Sequence, residues 1–166
     1  MQAAPPRPSA PSPDQRPPEE EDGDLADLLG ELRVLVPGAE TLTAFLIILP
    51  FTGGFDRIRD EEKVVYIVTF LCSVASLVLF TAPAAHHRLQ RPLRDREGFK
   101  TLATRLIIAG LIPLSAALVL ATQLVMSEVV PVRWVSWLVS GLLGAAIVIL
   151  WWIVPARRRA RLDRSP

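Results

Sequence analysis

Cysteine is almost absent from this chain: Cys72 is the only one in 166 residues. That excludes an intramolecular disulfide and a cysteine metal cluster. Cys72 lies inside an apolar segment, where a small packing residue is its plain reading. Residues 1–24 contain no basic n-region leading into an apolar h-region, so no cleaved signal peptide is expected. No nucleophile with a paired base, no Gly-rich phosphate loop and no HExxH-type zinc helix occurs. An enzyme is therefore not expected, nor is a cofactor or metal.

Long apolar runs are what the chain has. It is 51% hydrophobic, and nearly all of that falls between Leu32 and Val154. About 20 helical residues span a bilayer core. The runs predict an all-α membrane protein, a bundle of four transmembrane helices within residues 37–156. The expected spans are 37–55, 64–82, 105–126 and 134–154. Pro37 suits the first turn of span one, and Pro50 should bend or end it. Pro83 marks the end of span two, and Pro113 predicts a kink in span three. Trp134 and Trp137 mark one interface of span four, Trp151 and Trp152 the other.

Residues 1–23 carry seven prolines and an acidic run and read as a disordered tail. In 24–36, Leu25, Leu28, Leu29, Leu32 and Leu35 share one face. This predicts a short amphipathic helix lying at the membrane surface; a simple extension of span one is the alternative. Residues 157–166 form a basic tail.

Fourteen Lys and Arg fall on the side of the tail, the middle loop and the C-terminus, and four on the other. The positive-inside rule places both termini in the cytoplasm, with the protein in the cell membrane. Small residues at four-residue spacing suit helix packing: Ser136, Ser140 and Gly144 on span four, and Ala109, Pro113, Ala117 and Ala121 on span three.

Glu40 is the most suggestive residue, because a carboxylate within a span is costly and points to function. It suits binding of a cation or proton. The plainer reading is structural. Glu40 lies about a turn from the expected cytoplasmic boundary, and Arg105 lies at similar depth on span three. The two form a candidate intramembrane ion pair.

His86 and His87 are adjacent, and successive helical residues diverge by about 100°, so they cannot share one metal. Histidine titrates near neutrality and can sense pH, but an interfacial pair facing headgroups is the plainer reading. With Arg88, Arg91, Arg157, Arg158 and Arg159 they are candidate contacts to anionic lipid at the cytoplasmic face. Nucleic acid is not an expected partner, because the Arg run abuts a span and acts as a topological stop.

The segments Glu31–Val34, Gly38, Leu42–Phe45 and Leu49–Phe51, with Phe55, Tyr66, Ala82-Pro83 and His87-Arg88, carry a resemblance. Over about residues 28–159 the chain resembles an uncharacterised family of four-span membrane proteins common in actinobacteria. The resemblance implies a four-helix protein of the cytoplasmic membrane and no assigned activity. The chain departs from the family pattern at Glu40, where an amide is frequent, and near Gln90, where an aromatic is. The first departure weakens a proton-coupling role for Glu40.

The leading expectation is a non-catalytic structural or accessory subunit, working as a homo-oligomer or with a membrane-protein partner. A small proton- or cation-coupled transporter or channel using Glu40 is the alternative. The small multidrug exporters also have four spans and an acidic first span. Their weak charge bias differs from the fourteen-to-four bias here. An envelope sensor that uses the acidic tail and basic loop as a switch is a third reading.

Overall fold

A backbone amide in hydrocarbon finds no water, so a spanning segment must satisfy its own N–H and C=O groups. The computed structural model describes residues 18–89 and 96–162, and helices dominate them. Helix α1 runs Pro18–Ile48, α2 Asp60–Leu89 and α3 Arg96–Val129. Helix α4 (Arg133–Ile147) passes through a π-helical stretch, Val148–Ile153, into α5 (Val154–Leu162). The wide turn sits just before Pro155, whose ring excludes an ordinary bond to the Trp151 carbonyl. No strand occurs among the described residues.

Four stretches are long and apolar enough to cross a membrane: Gly30–Phe51, Asp60–Leu89, Gly98–Val129 and Arg133–Arg158. The first lies further toward the N-terminus than the expected 37–55. The other three contain the expected spans and run past them. Most of the expected tail, residues 1–17, lies outside the described residues, but α1 already begins at Pro18. Residues 24–36 are not a separate helix; they continue into the first span. Pro37 is therefore interior to α1, and Pro83 interior to α2.

One physical reason covers both prolines. An interior proline removes one helical bond and bends the chain, at about 3 kcal/mol. Ending a helix in hydrocarbon would strand up to four carbonyls. The bend is the smaller penalty, so the helices continue. Pro50 lies at the end of the apolar stretch Gly30–Phe51, and there α1 does end, in a short 3₁₀ turn, Leu49–Phe51.

Pro50 has no N–H to offer the Leu46 carbonyl one turn back. The Tyr66 hydroxyl of α2 donates to that carbonyl instead, at 2.8 Å. The Tyr66 ring meets Phe55 edge-on at 5.1 Å and stacks with Phe70 at 6.4 Å. Tyr66→Phe keeps the rings and leaves Leu46 without a donor. A stability loss of about 1 kcal/mol is expected, read as a lower unfolding midpoint in nanodiscs; an unchanged midpoint would remove the bond from the account.

Helix α2 is the centre of the packing. Its buried face is Tyr66, Thr69, Ser73, Ser76, Phe80 and Pro83, at alternating three- and four-residue steps. Small hydroxyl residues let helices approach closely in lipid. Thr69 donates to the Val65 carbonyl and Ser76 to that of Ser73. Ser73 and Thr43 share a hydrogen bond of 2.8 Å that ties α2 to α1. Phe80, 1% exposed, sits over Gly110 of α3, where an added Cβ would lie 2.6 Å from its ring. Leu32, Ala39, Ile107 and Leu114 complete that core.

Helix α4 packs on α3 and α1 on α2, with a lighter contact between α1 and α3. The small-residue ladder of α4 faces α3: Ser136 and Ser140 are buried, and a Cβ on Gly144 would meet Val119 at 3.5 Å. On α3, Ala117 is fully buried, while Ala109, Pro113 and Ala121 are half-buried. The outward faces are apolar, as with Val64, Ile67, Val68 and Leu71 on α2.

Candidate functional site

Depth along the helices follows from the contacts between them. The uncharged stretch of α2 runs from Val64 to Ala85, and Ser73 lies near its middle. Thr43 is bonded to Ser73, so it shares that level. Glu40 is three residues away on α1, about 4.5 Å along the axis. It therefore lies within about one turn of the middle of the apolar zone, not a turn from its edge. The displaced start of span one is the cause: the apolar stretch reaches back to Gly30, not Pro37.

Gly110 faces Leu79 and Phe80, which fixes α3 against α2. Arg105 then falls level with Ala84 and Ala85, near the end of the uncharged stretch. That puts it about 12 Å from Glu40 along the helix axes. Both side chains are exposed, and the structure does not bring them into an ion pair. The expected equal depth fails because sequence gives each helix separately and not their register.

At the end where α2 leads toward α3, His86 is exposed, while the half-buried His87 ring packs on Phe99 at 5.6 Å and 60°. One histidine thus joins α2 to α3, and the other faces outward. Arg88, Arg157 and Arg158 are exposed, Arg159 lies in α5, and Arg91 lies outside the described residues. Among the described residues no group of three His, Cys, Asp or Glu is placed to hold a metal. Cys72 is half-buried, beside the seam of α2.

The opposite end, with the Thr52–Arg59 loop and the turn Val130–Val132, is built around the start of α2. Arg59 precedes the helix, and Glu62 reaches back to it. Glu62 Oε2 accepts from the Arg59 backbone N–H at 3.4 Å, and Oε1 from the guanidinium at 2.9 Å. This is the acidic half of a capping box. The hydrogen bond to Glu62 also raises the Arg59 guanidinium above its ordinary range. Lys63 pairs with Asp60 at 3.1 Å.

Two cavities flank α3 at this end and share Glu62, Leu124 and Ser127. One, about 230 Å³, is mainly apolar and runs along Leu49, Ile58, Tyr66 and Val125. The other, about 300 Å³, opens between α2 and α4 and reaches Gln123 and Ser136. Gln123 Oε1, Ser136 Oγ and Ser140 Oγ are buried without a hydrogen-bond partner. By spacing alone, Ser136 and Ser140 are packing residues of α4 and Gln123 has no role. The available signal is Gln123 itself, the sole amide in span three.

Among curated proteins and among solved structures, nothing matches the chain. One family does, over residues 14–155, from the N-terminal tail to the start of α5. On that match the chain belongs to DUF6328, a family of unknown function.

Proposed function

We propose that this protein is a non-catalytic, multi-pass accessory subunit of the cytoplasmic membrane that docks through α1 on another membrane protein. The placement of Glu40 carries the reading. A carboxylate near the middle of a bilayer is expensive unless it meets a partner or water. Here it stands on an exposed face of α1, and among the described residues no Lys or Arg lies at that depth. Gly38 beside it has open space around its Cβ direction, which suits close approach by a second helix. Among its described residues a second copy brings no cation to this level either, since 34–56, 64–85, 106–127 and 134–156 carry no Lys or Arg. The partner is therefore a different helix with a Lys or Arg near mid-span.

Arg33, Arg88, Arg105, Arg157, Arg158 and Arg161 are exposed at the end opposite the Thr52–Arg59 loop. This supports termini in the cytoplasm, with anionic headgroups against those arginines.

A synthetic leucine-rich spanning peptide with one central Lys tests the docking. Energy transfer between labelled peptide and labelled protein in vesicles should show association. Glu40→Gln, or leucine in place of the peptide's Lys, should remove it. Equal transfer in all three cases, or transfer only between copies of the chain, would overturn the reading.

The central depth of Glu40 also suits the second reading, a cation-coupled transporter. That role needs a water path, and Glu40 lines neither of the two cavities at the loop end. Cation flux in proteoliposomes that Glu40→Gln abolishes would put it first.

A further inference from the structure

We infer that the cavity of about 300 Å³ between α2 and α4 is a binding site for a small polyhydroxylated group, either free in solution or carried as a lipid headgroup. Its floor carries the argument. Gly144 against Val119 sets the register of α4 on α3, which puts Ser140 level with Gln123 and Ser136 level with Ser127. The α2–α3 register puts Gln123 level with Tyr66, just inside the uncharged stretch that begins at Val64. Ser136 is 1% exposed and still lines the cavity, and its hydroxyl has no partner. Buried polar atoms left unpaired are costly, so the site calls for an occupant that pairs them.

The chemistry of the floor selects the occupant. Gln123 Oε1 accepts only, whereas each serine hydroxyl donates and accepts. A ligand hydroxyl also does both, so a polyol satisfies Gln123 Oε1 and Ser136 Oγ, the two unpaired atoms whose residues line the cavity, in more than one pose. A charged group at this depth would be desolvated with no countercharge, since the floor is the Gln123 amide and the Ser136 hydroxyl. The mouth is balanced as well: Arg59 is paired with Glu62, and Glu61 and Arg133 carry opposite signs. Val65, Leu124 and Trp137 give apolar wall for a C–H face. The volume lies at the small end of ligand pockets, the size of a triol or monosaccharide.

The test uses the full chain in phosphatidylcholine nanodiscs, with Cys72→Ala to remove the native thiol and Val130→Cys as a reporter at the mouth. Maleimide labelling is timed with glucose, with glycerol, and with glycine betaine at matched osmolarity. Glucose or glycerol should slow labelling at least fivefold relative to betaine. Gln123→Leu and Ser136→Ala should each restore the fast rate, while Ser136→Thr, which keeps the hydroxyl, should retain the protection. In phosphatidylglycerol nanodiscs, slow labelling without added solute would support the site and identify a lipid glycerol headgroup as its source. The proposal fails if neither polyol nor phosphatidylglycerol slows labelling, if betaine slows it equally, or if the slowing survives both Gln123→Leu and Ser136→Ala.

Discussion

In bilayers containing the isolated chain, Glu40→Leu is expected to increase stability by about 2–3 kcal/mol, the insertion penalty of a carboxylate near mid-span. Most substitutions destabilise, so the sign is the informative part. Glu40 is exposed, lies near the middle of the apolar zone and is about 12 Å in depth from Arg105. No cation among the described residues offsets its cost, so removing it relieves the chain. The same substitution should abolish association with the lysine-bearing helix. Stability gained and binding lost together separate a docking residue from a structural one. Reversible unfolding in mixed micelles measures the first effect. A loss of stability instead would mean that Glu40 holds its own helices together.

Gly110→Leu is the second large effect, and its sign is opposite. An added Cβ would lie 2.6 and 2.8 Å from ring atoms of Phe80 and 3.2 Å from Leu79 Cβ. Phe80 is 1% exposed, so its ring has little room to withdraw. The helices must part, and α2 against α3 is the most extensive contact among the described residues. Overpacking of this kind costs about 1–3 kcal/mol, and a rigid backbone seam places it at the upper end. Gly141→Leu is the control. That glycine has nothing within 4 Å of its Cβ direction and should tolerate the change. A shared fall in the unfolding midpoint would assign the effect to glycine in membrane helices generally and not to the Phe80 seat.

The four helices were legible in the sequence because length and hydropathy report on the solvent, and lipid imposes a simple rule on the backbone. Their limits were less legible, and proline explains why. Pro37 and Pro83 look like boundaries, yet each sits within a helix because a bend strands fewer polar groups than a helix end does. Pro50 behaves as its rule predicts because it lies near the end of the apolar stretch. The small-residue ladder of α4 is visible in spacing alone, and the structure turns it toward α3.

The candidate sites depend on register, which spacing along one helix does not contain. The Thr43–Ser73 bond and the seat of Phe80 on Gly110 set the depths of Glu40 and Arg105. Each contact is a small or hydroxyl residue meeting its counterpart, and many such pairings are open to the sequence. The grouping of Gln123 with Ser136 and Ser140, which spacing marks only for packing, was hidden for the same reason. They become a group only when α3 and α4 are set side by side.

A nitroxide at position 40, introduced by Glu40→Cys in a Cys72→Ala background, tests the central claim most directly. Collision rates with oxygen and with a water-soluble nickel chelate report depth and cover in the bilayer. High oxygen access with low nickel access, matching a label at the exposed Leu71 of α2, is the predicted result. Low access to both would show that the chain covers the position itself. Free access to nickel would place it at the membrane boundary, and either result would contradict the account.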